Sequence, residues 1–319
     1  MDRDDVPARA GSRLADAAVE LGVPDLTTSS ASRHVEDIVA DESHPSQASP
    51  ESSTHEGIPG VVGRLDVVGP LSSEHLGNER PIYVWLPASY ASASERQYPV
   101  IYMQDGQNLF SDALAFGREW QVDEHMTRLG ALGLEAIVVG IPNAGAERAA
   151  EYSPFAPPEH GGGRGDAYLR FVIDEILPLM RDRYRVSTSR NDVGIMGSSL
   201  GALISLYAYF RHPEIFGFVG AMSPALWFAD AALLAVAEQT PFVDGRIYLD
   251  IGTEEGSAHV DNAQALHRLL LTKGYRPGES LFYVEEDYAS HDEEAWARRL
   301  RTALYFLLPA PTHVDGDRS

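Results

Sequence analysis

The chain contains no cysteine and a single lysine, Lys273, among its 319 residues. The first absence excludes a disulfide scaffold, thiolate metal ligands and a cysteine nucleophile. The second leaves arginine to carry nearly all of the positive charge. A GC-rich genome produces that bias by itself. Salt adaptation is the sharper reading, because an acidic, lysine-poor surface stays soluble where salt screens its self-repulsion. Bases of either kind are scarce: 25 Lys and Arg stand against 47 Asp and Glu, a formal charge of −22. That balance argues against a nucleic-acid partner, since phosphate binding needs a basic face. No run approaches the ~18 apolar residues of a spanning helix, so no membrane partner is expected. The opening Met1-Asp2-Arg3-Asp4-Asp5 lacks the basic-then-apolar pattern of a secretory signal, which makes the cytoplasm the expected location. Apolar residues are plentiful, at 44% hydrophobic, which is enough for a sizeable core.

Texture divides the chain into three. Residues 1–56 read as a flexible or partly helical extension: Leu14, Ala17, Ala18 and Leu21 lie near helical spacing, and Asp41 to Ser53 is polar and proline-punctuated. Residues 57–309 read as one globular domain, and 310–319 as a disordered tail. No internal repeat is found. Within the domain, β-rich runs alternate with helical patterns. Val61–Val68 and Pro81–Leu86 predict an opening antiparallel pair. Strands are expected at Val100–Met103, Ala136–Ile141, Asp192–Met196, Phe218–Met222, Arg246–Ile251 and Leu281–Glu285, and helices include Asp166–Arg183, Ser199–Arg211, Val260–Gly274 and Asp292–Leu308. That alternation is the signature of an α/β fold, a mostly parallel sheet covered by helices on both faces. Runs such as AIVVGI lack clean alternation, as buried parallel strands do. Such sheets place their chemistry at the carboxyl ends of strands.

One strand, Asp192–Met196, runs into Gly197-Ser198-Ser199-Leu200-Gly201 and then into an apolar helix. This is G-x-S-x-G in the strand–turn–helix context that gives the motif meaning. The turn is tight enough to need glycine at both ends, and it leaves Ser199 strained with its hydroxyl outward, at a helix N-terminus that favours negative charge. A serine hydroxyl needs a base to attack. Of eleven histidines, His291 follows the last strand and precedes the last helix, where the chain order Ser, acid, His would put it; His259 follows a strand one step too early. The acid is expected after Arg246–Ile251, in Gly252-Thr253-Glu254-Glu255-Gly256. Glu255 is preferred, Glu254 and Asp261 are alternatives, and a dyad without an acid is also open. The oxyanion needs two donors: the amide of Leu200, and the amide of Gln107, which Gly106 allows to turn into the site.

Together YMQDGQNLF, GSSLGA, MSPALWF, YLDIGTEEG and SHDEEAWARRL resemble the putative esterase family, the esterase D-like and enterochelin esterase-like group of α/β hydrolases. The resemblance covers about Gly57 to Leu308. It implies an α/β-hydrolase fold and a carboxylesterase-type serine hydrolase working through an acyl-enzyme. By position it places the nucleophile on Ser199, the histidine on His291, the acid on Glu255 and the oxyanion amides on Gln107 and Leu200. Asp105 stands where many feruloyl esterase-like members have histidine, which weakens a feruloyl assignment. The substrate implied is a small-molecule ester, with no cofactor. The alternatives are an acyltransferase on the same site, like the more distant mycolyltransferases, or a silent hydrolase fold used for binding.

Weaker features complete the reading. Trp227 and Phe228 follow a strand and are candidate pocket walls. Arg148 and Tyr152 lie in a loop where Arg148 can meet either a polar substrate or a structural carboxylate. Trp296 is expected to pack its helix on the sheet. Gly161–Gly165 reads as a flexible loop, not a phosphate cradle, and no HExxH or EF-hand pattern implies a metal.

Overall fold

Every apolar run singled out above becomes a strand of one eight-stranded sheet in the computed structural model, which describes residues 58–309. The readings made for residues 1–56 and 310–319 lie outside the described residues. The strand order is β1-β2-β4-β3-β5-β6-β7-β8. β1 (Arg64–Ser72) and β2 (Glu79–Leu86) form the opening antiparallel pair, and β2 runs antiparallel to β4 (Ile137–Ile141). β3 (Val100–Gln104), β4, β5 (Val193–Ser198), β6 (Phe218–Met222), β7 (Arg246–Gly252) and β8 (Leu281–Glu286) are mutually parallel. All residues of β3, β4, β5 and β6 are buried, so their uninterrupted apolar runs reflect cover on both faces.

Two faces of the sheet carry two cores. On one, α1 (Val122–Gly130) and α7 (Glu293–Leu307) bring Val122, Met126, Trp296, Leu300 and Leu304 against Ile101, Met103, Val138 and Met196. The other face is covered by α2 (Gly165–Arg170), α3 (Leu177–Arg183), α4 (Leu200–Arg211), α5 (Phe228–Gln239) and α6 (Ser257–Thr272). In α4 all residues from Gly201 to Phe210 are buried. A helix apolar all round belongs inside a protein rather than at its surface. Among the described residues no helix is long and apolar enough to cross a membrane.

Three local expectations are corrected. β1 begins at Arg64 rather than Val61 and continues to Ser72, past a register shift between Val68 and Leu71. The interruption is Gly69-Pro70: proline has no N–H for the ladder, and a Cβ on Gly69, at φ +106°, would lie 2.4 Å from the Leu71 nitrogen. The helix expected over Asp166–Arg183 is α2 and α3 joined by a π-helical stretch, Phe171–Ile176. Pro178 lies in the first turn of α3 and has no N–H to give, which loosens the ladder there. The glycine loop at 161–165 is tethered, not free. Gly163 and Gly165 donate to the Ser153 carbonyl at 2.8 and 3.0 Å, and a Cβ on Gly162 would fall 2.0 Å from the Phe155 oxygen.

Candidate active site

Between the end of β5 and the start of α4 the chain turns through Ser199, at φ 54° and ψ −122°. A non-glycine residue held there stores on the order of 1–3 kcal/mol of strain. The neighbours over-determine it. The Ser199 amide donates to the Met222 carbonyl at 3.0 Å, and its carbonyl accepts from the amides of Leu203 and Ala225, both at 3.0 Å. The flanking glycines are needed sterically. A Cβ on Gly197 would lie 2.7 Å from the Gly201 carbonyl carbon and 2.8 Å from Gln104 Cγ, and one on Gly201 would lie 3.0 Å from Gln104 Cβ. The turn is therefore pinched between its own helix and the end of β3. Leu200 is the first residue of α4, so its N–H has no intrahelical partner and faces the positive end of the helix dipole.

β3 ends beside this turn and leads into Asp105, in the left-handed region at φ 53°, and then a single 3₁₀ turn, Gly106–Asn108. Gly106 presses on β4: a Cβ would lie 2.5 Å from both the Gly140 carbonyl carbon and the Ile141 nitrogen. Asp105 is held from all sides. Arg148 Nε and Nη2 donate to its two carboxylate oxygens at 2.8 Å each, Asn143 Nδ2 donates at 2.7 Å, and its own N–H donates to the Tyr152 hydroxyl at 3.0 Å. Gln107 is anchored by its side chain, whose Oε1 accepts the Asn143 amide at 3.1 Å. Arg148 thus meets Asp105 rather than standing free, and its guanidinium also lies 5.1 Å from the centre of the Tyr152 ring.

The other half of the site lies beyond β7 and β8. Glu255 is fully buried, and its Oε2 is 2.7 Å from His291 Nδ1. Its Oε1 accepts the Gly252 amide at 2.7 Å and meets the Ser223 hydroxyl at 2.6 Å. Ser223 Oγ also receives Trp296 Nε1–H at 3.0 Å and Arg299 Nη2–H at 2.9 Å. A hydroxyl accepts twice and donates once, so the single Ser223 proton goes to Glu255. Arg299 in turn faces Asp250 at 3.0 Å and Glu286 at 2.7 Å. Burial pushes the Asp250 carboxyl above its usual range, against the pull of Arg299. The alternatives for the acid, Glu254 and Asp261, are exposed.

His291 is the more open partner, with 37% of its side chain exposed. Its ring stands edge-on to Trp296 at 5.0 Å and 85°. His259 stacks on Trp227 at 6.0 Å and 12°, and burial followed by the field of His291 lowers its pKa, which keeps it neutral. Trp227 is 40% exposed, flanked by His160, Phe228 and His259. It forms an aromatic shelf rather than part of the core.

The structure therefore joins Glu255 to His291, sets Ser199 and Leu200 at the elbow, and packs the Asp105–Gln107 turn against both β4 and α4. Sequence reasoning missed Ser223 and Arg299, and gave Trp296 a packing role alone. A signal existed for the last two: Trp296 and Arg299 are three apart on one helix and so share a face.

A mostly parallel sheet whose central strand ends in a glycine-bounded, strained serine turn defines an α/β hydrolase. Within that class the chain belongs to the esterase family described as "Putative esterase", matched over residues 73–307. It is 26% identical over 248 residues to an uncharacterized protein, YbbA, of Bacillus subtilis, covering 74% of this chain and 95% of that one. It is 28% identical over 149 residues to the siderophore triacetylfusarinine C esterase of Aspergillus fumigatus, covering 44% of this chain and 48% of that protein. The fold matches the crystal structure of the BES protein from Bacillus cereus with a TM-score of 0.63 at 20% identity, over 81% of this chain and all of that one. The family and these relatives make the protein a hydrolase acting on esters.

Proposed function

We propose that the protein is a serine carboxylesterase acting on small-molecule esters through an acyl-enzyme, with Ser199, His291 and Glu255 as its triad. The observation that carries this reading is the 2.7 Å contact between Glu255 Oε2 and His291 Nδ1. A carboxylate there accepts the Nδ1 proton, which leaves Nε2 with the lone pair that a general base needs. His291 takes the Ser199 proton as the hydroxyl attacks the ester carbonyl. The amides of Gln107 and Leu200 receive the developing oxyanion, and the α4 dipole favours the same charge. The imidazolium then protonates the departing alcohol, and a water activated by the same histidine releases the acid. Glu255 stabilises the imidazolium without itself taking the proton.

For the substrate, the aromatic shelf at Trp227 favours a compact ester with an apolar or aromatic portion. The siderophore esterase relative adds siderophore esters to the candidates. A fluorophosphonate probe should label Ser199 in the wild type and leave Ser199→Ala unlabelled. Turnover of p-nitrophenyl acetate should fall at least about 10³-fold in that variant, with the melting temperature unchanged, since alanine keeps the Cβ and the backbone of the turn. Retained turnover in Ser199→Ala would overturn the assignment.

A further inference from the structure

Outside the site, at the start of α1, three carboxylates converge. Glu119, Asp123 and Glu124 each turn one oxygen to within 4.8 Å of the others. Each residue also has one buried oxygen, Glu119 Oε2, Asp123 Oδ1 and Glu124 Oε2, with no hydrogen-bond partner among the described residues. Asp123 is fully buried. Its other oxygen, Oδ2, is already used, accepting the Val62 amide at 2.5 Å. Burying one unpartnered carboxylate oxygen is costly, and placing two more carboxylates beside it adds like-charge repulsion. A cation in their midst removes both penalties. An all-oxygen, all-carboxylate donor set selects a hard cation over zinc or copper. Magnesium dehydrates reluctantly and is usually held by one or two carboxylates plus waters or phosphates, whereas calcium accepts several protein carboxylates in a flexible shell, so three converging carboxylates suit the larger ion.

We infer that Glu119, Asp123 and Glu124 bind a calcium ion. The three residues come from one short stretch, EWQVDE, that matches no EF-hand loop, so the site arises from the fold. It ties the turn before α1 to the segment at Val62 that precedes β1. Trp120, between two of the ligands, packs tilted against Trp296 at 5.6 Å and 49°, and Trp296 faces His291. The ion therefore braces the wall behind the histidine.

The test uses the full chain stripped with EDTA, in about 150 mM NaCl to suppress general screening. Titration calorimetry with calcium chloride should show one ion per chain, with a Kd on the order of 10⁻⁵–10⁻³ M. The melting temperature should rise by about 5–10 °C once calcium exceeds the Kd by 100-fold. Glu119→Gln/Glu124→Gln keeps the Asp123–Val62 bond and should weaken binding by about tenfold or more. Asp182→Asn/Glu238→Gln, two exposed acids elsewhere, should bind as the wild type does. Terbium, a luminescent stand-in for calcium, should emit on excitation of the adjacent Trp120 and be displaced by calcium, a readout that needs no variant to fold. Equal calcium shifts in wild type and the Glu119/Glu124 variant, no heat of binding, or no sensitised terbium emission would each overturn the site. Tighter binding of magnesium than of calcium would overturn the choice of ion.

Discussion

On the β3–β4 side of Ser199, Arg148 clamps Asp105; on the β7–β8 side, Arg299 stands between Asp250 and Glu286. Both are arginine–carboxylate groupings at the carboxyl ends of the strands, yet they do different things. The Asp105 pair holds a backbone. It fixes a left-handed residue so that the next turn presses on β4, which is the shape the proposed Gln107 donor requires, and its arginine keeps 29% of its side chain exposed. The Arg299 grouping holds a side chain: through Ser223 it supplies a proton to Glu255, and its arginine is only 4% exposed. A backbone donor needs the chain held in shape, whereas a carboxylate that must support an imidazolium needs its charge preserved and its orientation fixed. The second demand calls for the drier surroundings, because an electrostatic interaction gains strength where water is excluded.

Charge-removing, shape-preserving substitutions test that contrast. Glu255→Gln should have the largest effect, a fall in kcat of about 10²–10⁴-fold with little change in KM, because an amide cannot sustain the imidazolium; the serine-protease aspartate-to-asparagine case, ~10⁴, is the upper guide. Glu254→Gln, on the exposed neighbour, should stay within about twofold in the same assay. Loss in Glu254→Gln with full activity in Glu255→Gln would move the acid by one residue.

Asp105→Asn should cost less, about 10–100-fold in kcat, below the ~10²–10³ that follows complete loss of an oxyanion donor. It should also lower the melting temperature by a few degrees, since Arg148 loses a bidentate partner but can still reach water. A loss as steep as that of Glu255→Gln would end the distinction between shape and charge.

The smallest expected effect belongs to His259. Its pKa is lowered in the folded protein, so below its ordinary value of about 6.5 the unfolded chain binds the extra proton more readily. That contribution to stability is present above pH ~6.5 and is lost as pH falls through it. His259→Gln should flatten the melting-temperature profile below about pH 6.5; a profile identical to wild type would deny His259 any part in it.

How much of this was legible in the sequence follows from how local each feature is. The elbow at Ser199 is readable because five adjacent residues and their flanking strand and helix encode it. His291 and Glu255 are readable because chain order and strand ends narrow the choice. Burial then separates Glu255 from Glu254, a difference that adjacent, identical residue types do not announce. The meeting of Ser223 with Arg299 was not readable: they are 76 positions apart and come together only through the register of β6 with β7 and the docking of α7. Arg148 was left between substrate and structural partner because the distance from a loop to Asp105 is a tertiary fact. The contacts of the 161–165 loop were hidden for a related reason, since glycine there permits close approach to Ser153 and Phe155, which lie apart from it in sequence.

The two outer strands also decide how the protein behaves in a crowd. An open sheet ends in rows of unpaired amides and carbonyls, which invite another chain to add a strand. At one rim, Gly69-Pro70 breaks β1 where its register shifts, and proline offers no amide to an incoming ladder. At the other, β8 is six residues long and finishes in Glu285 and Glu286, which are bonded to Gln264, Tyr283, Arg298 and Arg299. A visiting strand there would find a short template ending in carboxylates that are already tied down. The same interruption that displaced β1 from its expected bounds thus serves colloidal stability, sealing a sheet whose middle strands, taken alone, would be among the most aggregation-prone segments of the chain.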